Sequence, residues 1–144
     1  MAYMKQLIAD KVYVQVWLNL NETGLNFHYG YREDDRLMLA VEYYTDSELV
    51  ATGSAYPALG QAFEQLNIDE PTSDWAKAYR QAGLRSLSVG DVVVVGELAY
   101  ACESVGWKSV SLQSNQCDST PRVNITVAEI DGQPAIAYRP GAVL

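Results

Sequence analysis

The sequence is poor in the residues that metal and disulfide sites require. Its 144 residues include only two cysteines and one histidine. A tetrahedral zinc site takes four nitrogen or sulfur ligands, and Cys102, Cys117 and His28 are too few and too far apart in sequence to supply them. We therefore expect no metal and no cofactor.

Long apolar runs are also missing. No segment approaches the roughly 18 residues that cross a bilayer, and residues 1–8 have neither the apolar core nor the cleavage site of a signal peptide. These patterns predict a cytoplasmic protein with no membrane partner and with both cysteines reduced. No linker or repeat divides the chain, so we expect one domain over residues 1–144.

Basic residues are scarce relative to acidic ones. The chain carries 10 Lys and Arg against 18 Asp and Glu, which gives a formal charge of −8. No stretch concentrates the basic residues, and an acidic surface is repelled by phosphate backbones. Direct binding of nucleic acid is therefore disfavoured.

Apolar residues occur mainly in β-strand patterns. The four β-branched valines of Val92–Val95 predict a central strand covered on both faces, and Gly96-Glu97 predicts a tight turn into a partner strand, Leu98–Cys102. Further strands are predicted at Trp107–Leu112 and, around Asp131-Gly132, in a second hairpin of Arg122–Ile130 with Gln133–Tyr138. The polar segment Gln113–Pro121 is predicted to be a surface loop.

The N-terminal part alternates apolar and polar residues with the period of strands. Lys11–Leu20, Leu25–Tyr31 and Leu37–Tyr44 are predicted to form a three-stranded antiparallel meander. Two helices, Pro57–Leu66 and Thr72–Gln81, are predicted to follow. The fold class is therefore predicted to be α+β, an antiparallel sheet with two short helices on one face, packed through Phe63, Leu66, Trp75 and Tyr79.

One part of the sequence carries a family resemblance. Leu87–Val93, Tyr100-Ala101-Cys102 and Gly106-Trp107 together resemble a signature of small proteins from actinobacteria, their plasmids and their phages, and loosely resemble YodL-like domains of mobile elements. Three upstream groups of residues fit the same pattern, so the resemblance spans about residues 59–110. It implies a mobile-element origin and no catalytic residues. The upstream groups are Ala62-Phe63, Asn67 and Ala78-Tyr79-Arg80.

Candidate catalytic groups each have a structural interpretation. His28 falls on the polar face of a predicted strand, where a solvated side chain is more common than a general base. Ser86 and Ser88 lack the strand-turn-helix context of a nucleophile elbow. Adjacent acids of Glu33-Asp34-Asp35 point apart in a turn, which is a poor cation site. We predict no catalytic residue.

Tyrosine and tryptophan are abundant, with ten Tyr and three Trp against two Phe. These side chains combine an apolar body with a polar tip, which suits recognition surfaces. Several fall in the N-terminal meander beside its acidic turn, where they either bind a partner or are covered by the helices or the C-terminal hairpin. The candidate partner-binding residues are Tyr13, Trp17, Tyr29, Tyr31, Glu33, Asp34 and Asp35.

The leading functional hypothesis is an accessory protein of a phage or plasmid that binds a protein partner. An acidic surface would steer it to the basic groove of a nuclease or repressor, as an anti-CRISPR or anti-restriction inhibitor that blocks by shape. One alternative is a small enzyme or ligand-binding domain with a pocket near Asp91, Tyr100 and Trp107. Another is a phage structural or assembly protein. The partner, the host and the oligomeric state stay open.

Overall fold

Strands dominate the computed structural model, which describes residues 10–21, 30–50 and 53–141. Two α-helices lie between the second and third strands, and short 3₁₀ turns occur at Ser47–Val50 and Ser114–Gln116. In chain order the elements are β1 (Lys11–Asn19), β2 (Leu37–Asp46), α1 (Tyr56–Gln65), α2 (Asp74–Gln81), β3 (Val92–Val95), β4 (Leu98–Cys102), β5 (Trp107–Val110), β6 (Cys117–Asp118), β7 (Val123–Ile130) and β8 (Gln133–Pro140).

Six of the strands form a curled sheet in the order β5-β4-β3-β1-β2-β6. Every neighbouring pair is antiparallel except β2 and β6. Strands β7 and β8 form a separate antiparallel hairpin that packs against α2. The predicted α+β class is confirmed, and the antiparallel prediction holds apart from the two-residue β6.

The run of four valines forms the interior strand β3, as predicted. Val93 belongs to the larger apolar core, which the helices cover, whereas Val92 belongs to a smaller core on the opposite face. Gly96 has a φ of 64° in the turn to β4, a conformation that glycine adopts without steric cost. The hairpin β3–β4 has the predicted bounds.

The larger core lies between the sheet and the helices. The ring of Trp75 on α2 stacks on Tyr43 of β2 with 3.7 Å between centroids. Leu66, Trp75 and Tyr79 are buried as predicted. Phe63 is a correction: it is 44% exposed, because α1 turns Ala62 and Leu66 toward the sheet and a residue adjacent to Ala62 lies about 100° away around the helix.

The smaller core covers the face of the sheet turned away from the helices. A register shift between β1 and β2 sets Val16 opposite Val41 and Trp17 opposite Leu39, so Ala40 is an extra residue in β2. This bulge lets Leu39 join Trp17 on one face while Val41 joins the larger core on the other. The members of the smaller core are Trp17, Leu37, Leu39, Val92 and Ala101.

Both aromatic residues on β1 are buried, which is one of the two outcomes that the sequence left open. Trp17 is 6% exposed and Tyr13 is 8% exposed. Trp17 packs in the smaller core, and the Tyr13 ring meets Tyr44 edge to face at 5.5 Å between centroids. The curled sheet therefore has apolar side chains buried on both faces, in the larger and the smaller core.

Two other predictions differ from the structure. Positions 25–29 of the predicted strand Leu25–Tyr31 lie outside the described residues, and Gly30 and Tyr31 are not in a strand. Strand β1 pairs with β2 on one side and with β3 on the other. The predicted meander order is therefore wrong. The polar segment Gln113–Pro121 contains a 3₁₀ turn and β6. The buried Gln116 side chain bonds this segment to the loop before β2, and β6 pairs with β2 itself.

Neither helix of the described residues is long and apolar enough to cross a membrane. Cys102 is buried in β4, and Cys117 is half-buried in β6. Both are free thiols.

Candidate functional site

A cleft of about 850 Å³ lies between the loop that precedes β2 and the segment that runs from β5 to the second 3₁₀ turn. Three of the predicted partner-binding residues, Tyr31, Glu33 and Asp34, lie on its first wall. Its size suits a ligand or a short peptide segment, although its lining is more polar than that of most small-molecule pockets. The lining residues are Tyr31, Glu33, Asp34, Arg36, Lys108, Ser109, Val110, Ser111, Gln113, Asn115 and Gln116.

The first wall is held by the buried carboxylate of Asp35. Its oxygens accept hydrogen bonds from the Asn19 side-chain amide at 2.8 Å, from the Arg32 backbone N–H at 2.9 Å and from the Asn21 side-chain amide. Asp35 is 1% exposed, so its carboxylate acts within the fold, and its contact with a partner stays a prediction. It fixes the turn that leaves Glu33 and Asp34 exposed.

Gln116 joins the two walls across more than eighty residues of sequence. Its side-chain N–H₂ donates to the carbonyl oxygens of Asp35 at 2.6 Å and Glu33 at 3.0 Å. Its side-chain oxygen accepts from the Gln113 backbone N–H at 2.7 Å and from the Tyr31 hydroxyl at 3.1 Å. A glutamine in a polar segment gives no sequence signal for such a role, so sequence reasoning missed it.

Tyr31 forms the base of the first wall. It is half-buried and packs against the smaller core, and burial raises the pKa of its hydroxyl. The neutral phenol can therefore keep donating to Gln116 over the physiological pH range. An aromatic ring beside exposed polar groups is a common arrangement at protein interfaces.

The second wall is formed by β5 and the residues that follow it. Lys108, Ser109, Val110 and Ser111 are consecutive, and all four line the cleft. Alternate side chains of a strand point to opposite faces of its sheet, so a run of consecutive residues lines one cleft where the cleft follows the edge of the strand. The cleft therefore runs along the edge of the sheet at β5, the outermost strand in the sheet order.

Asp91, in the turn before β3, has a structural role. It is fully buried, and each carboxylate oxygen accepts one hydrogen bond from Arg85, at 2.6 and 2.7 Å. The backbone N–H groups of Asn19 and Ser88 each add another at 2.8 Å. The carboxylate thus joins the end of β1 to the turn before β3.

The alternative pocket near Asp91, Tyr100 and Trp107 stays a prediction, because the cleft described above is lined by other residues. Tyr100 and Trp107 are half-buried and pack against the larger core. Asp91 already accepts four hydrogen bonds, which leaves little capacity for a ligand.

The structure brings together only some of the predicted site residues. Tyr31, Glu33 and Asp34 share the cleft, and Asp35 lies beneath it as a support. Tyr13 and Trp17 are buried on β1, where the Gln15 side chain contacts the Tyr13 hydroxyl at 3.4 Å and accepts from the Trp17 indole N–H at 3.2 Å.

Tyr29 and the sole histidine, His28, lie outside the described residues. Among the residues that are described, no group of three or more His, Cys, Asp or Glu side chains is placed to hold a metal ion. The arrangement of the cleft can supply charge pairs, hydrogen bonds and an aromatic contact to a polar segment.

No family model, no curated protein and no solved structure matches the chain. The resemblance to mobile-element proteins thus stays a prediction from the sequence signature. Two residues of that signature have roles in the fold: Leu87 is buried in the larger core, and Asp91 joins the end of β1 to the turn before β3.

Proposed function

We propose that the protein is a non-enzymatic binding protein that holds a polar segment of a protein partner in the cleft between Tyr31–Arg36 and β5. The observation that carries this proposal is the shared position of Tyr31, Glu33 and Asp34. These candidate partner-binding residues line one cleft together with Lys108 on the facing wall.

The cleft suits a protein segment better than an apolar small molecule. Glu33, Asp34, Arg36 and Lys108 are exposed and charged, and they contribute both signs of charge to its walls. Exposed charges at the rim of an interface mainly set the association rate and the choice of partner, while a central aromatic residue contributes more of the affinity. Tyr31 is the aromatic residue of this cleft.

The charge of the whole chain supports a basic partner. A formal charge of −8 repels nucleic acid and attracts proteins with basic grooves. The mobile-element resemblance makes nucleases and repressors of an actinobacterial host the first partners to test. An inhibitor of this kind would occupy such a groove by shape and charge.

Site-specific photo-cross-linking tests this proposal. A photoreactive phenylalanine derivative is placed at Asn115, which is exposed on the cleft, or at Asn67, which is exposed just after α1. Each protein is irradiated in an actinobacterial lysate, and adducts are identified by mass spectrometry. We expect one protein adduct from position 115 that is absent from position 67.

The double variant Glu33→Gln, Asp34→Asn is the test of specificity. Because these carboxylates lie on the cleft and are exposed, their neutralisation should weaken the adduct from position 115 without unfolding the protein. The proposal is overturned if position 115 gives no adduct, or if both positions give the same adducts.

A further inference from the structure

The hydrogen-bond phase of the β4–β5 hairpin shows which backbone groups of β5 face its partner. The N–H of Glu103 donates to the carbonyl of Gly106 at 3.1 Å across the turn. Hydrogen-bonded pairs alternate with non-bonded pairs in an antiparallel ladder. Because Glu103 and Gly106 are a bonded pair, the next pair along the ladder is non-bonded and the one after it is bonded. Lys108 and Val110 are therefore the residues of β5 that exchange hydrogen bonds with β4.

The other residues of β5, Trp107 and Ser109, therefore direct their N–H and C=O groups away from β4. An independent contact supports this phase. Cys102, the register partner of Trp107, donates to the Asp91 carbonyl at 2.8 Å and accepts from the Gly90 N–H at 2.9 Å, so its own backbone groups face β3. The pair of Cys102 and Trp107 is thus a non-bonded one.

Of these two residues, Ser109 lines the cleft. Residues 108–111 line it consecutively, which places the cleft along the outer edge of β5. Within residues 10–21, 30–50 and 53–141, β5 pairs with β4 alone. The edge spans about 13 Å at 3.3 Å per residue and presents two donors and two acceptors.

We propose that β5 binds an extended segment of a protein partner, which adds to the sheet as a further strand. This inference rests on the proposed function and specifies how the partner is held. Strand addition draws its affinity from backbone hydrogen bonds and its selectivity from side chains at alternate positions. Here the selective groups are Glu33 and Asp34 on the facing wall and Lys108 on β5 itself.

A different protein fits this edge better than a second copy of the chain. Two copies would each bring a formal charge of −8 and would place identical Lys108 side chains near one another. Both effects oppose self-association. A partner segment with Lys or Arg near Glu33 and Asp34 has complementary charge, and β-branched residues favour the extended backbone that it must adopt.

A peptide selection tests the proposal with a defined probe. A display library of random dodecapeptides is selected on the wild-type protein, and the affinities of enriched peptides are then measured for Ser109→Pro and Ser109→Ala. Proline removes the outward N–H of Ser109 and leaves the β4 pairing intact, whereas alanine changes only the side chain. We expect about a tenfold or greater loss for Ser109→Pro and no change for Ser109→Ala.

Backbone methylation of the enriched peptides gives a second test that uses only the wild-type protein. Two versions of each peptide are compared, one N-methylated at its odd positions and one at its even positions. Only one version should lose binding, because only every second N–H of an added strand faces β5. Strand addition is overturned if no peptide is enriched, if Ser109→Pro folds and binds normally, or if methylation in both phases has equal effects. If strand addition fails in this way but position 115 still gives its specific cross-link, the partner binds the cleft by another mode and the proposed function holds.

Discussion

Asp91 is fully buried, and the guanidinium of Arg85 is the cation that contacts it, at 2.6 Å. The Arg85 side chain is 42% exposed, so only the carboxylate of this pair is buried. Removal of the guanidinium is costly because it leaves that buried carboxylate without a counter-charge. We expect Arg85→Met to lower the free energy of unfolding by about 3 kcal/mol, measured by urea denaturation at neutral pH.

The matched control is Lys11→Met, which breaks an ion pair with Asp46 at a similar distance of 2.7 Å. Those side chains are 35% and 69% exposed, so the expected loss is less than about 1 kcal/mol. Equal losses for the two variants would refute the role assigned to Asp91.

Trp17 offers a second test at the residue scale, because burial and partner binding predict different outcomes for its removal. The side chain is 6% exposed in the smaller core, so Trp17→Ala should cost roughly 3–5 kcal/mol of stability. Phe63→Ala is the control: Phe63 is 44% exposed, and about 1 kcal/mol or less is expected. A thermally stable Trp17→Ala variant would contradict the smaller core.

The two thiols should differ in reactivity. Cys102 is 3% exposed, and burial raises its pKa to about 11; burial also raises the pKa of Cys117, which is half-buried. A thiol reagent reacts with the thiolate, so both reactions should accelerate as the pH rises, and Cys117 should react first at pH 8. Peptide mapping by mass spectrometry measures the order, and earlier modification of Cys102 would contradict this prediction.

At the scale of elements, features that depend on local sequence patterns were predictable, and features that depend on long-range pairing were not. The hairpins at Val92–Cys102 and around Asp131-Gly132 were predictable because valine runs and turn residues act over a few positions. The bulge at Ala40 and the burial of Gln116 were not predictable, because each depends on partners that lie far away in sequence.

The candidate site shows the same division. An acidic turn and a nearby tyrosine identified Tyr31, Glu33 and Asp34, because those residues lie close together in sequence. The facing residues Lys108 and Asn115 come from a segment more than seventy positions later. The pairing of β6 with β2 and the hydrogen bonds of Gln116 hold that segment against the loop, and no local pattern encodes these long-range contacts.

The hairpin β7–β8 permits a prediction for a single turn. Asp131 and Gly132 have φ of 53° and 78°, the two positive values of a type I′ turn. A Cβ at position 132 would meet no atom within 4 Å, so Gly132→Ala introduces backbone strain alone. We expect it to cost about 1–2 kcal/mol in urea denaturation and Asp131→Gly to be nearly neutral. Equal costs would contradict the turn type.

At the scale of the whole molecule, burial and charge distinguish a supporting part from the part that we propose binds a partner. The two apolar cores and the Arg85–Asp91 pair hold the curled sheet together. The exposed charges of Tyr31–Arg36 and β5 lie along one edge of that sheet. Because the charge of −8 acts at long range, association with a basic partner should slow as salt is raised.

Amide chemical-shift mapping of the labelled protein with its cross-linked partner tests the central claim most directly. We expect the largest chemical-shift changes in residues 31–36 and 107–116, the two segments that contain the walls of the cleft. Competing surfaces exist, since Tyr56 on α1 and Ile130 at the hairpin tip are 58% and 61% exposed. Changes confined to those two surfaces, with the cleft amides unmoved, would contradict the account.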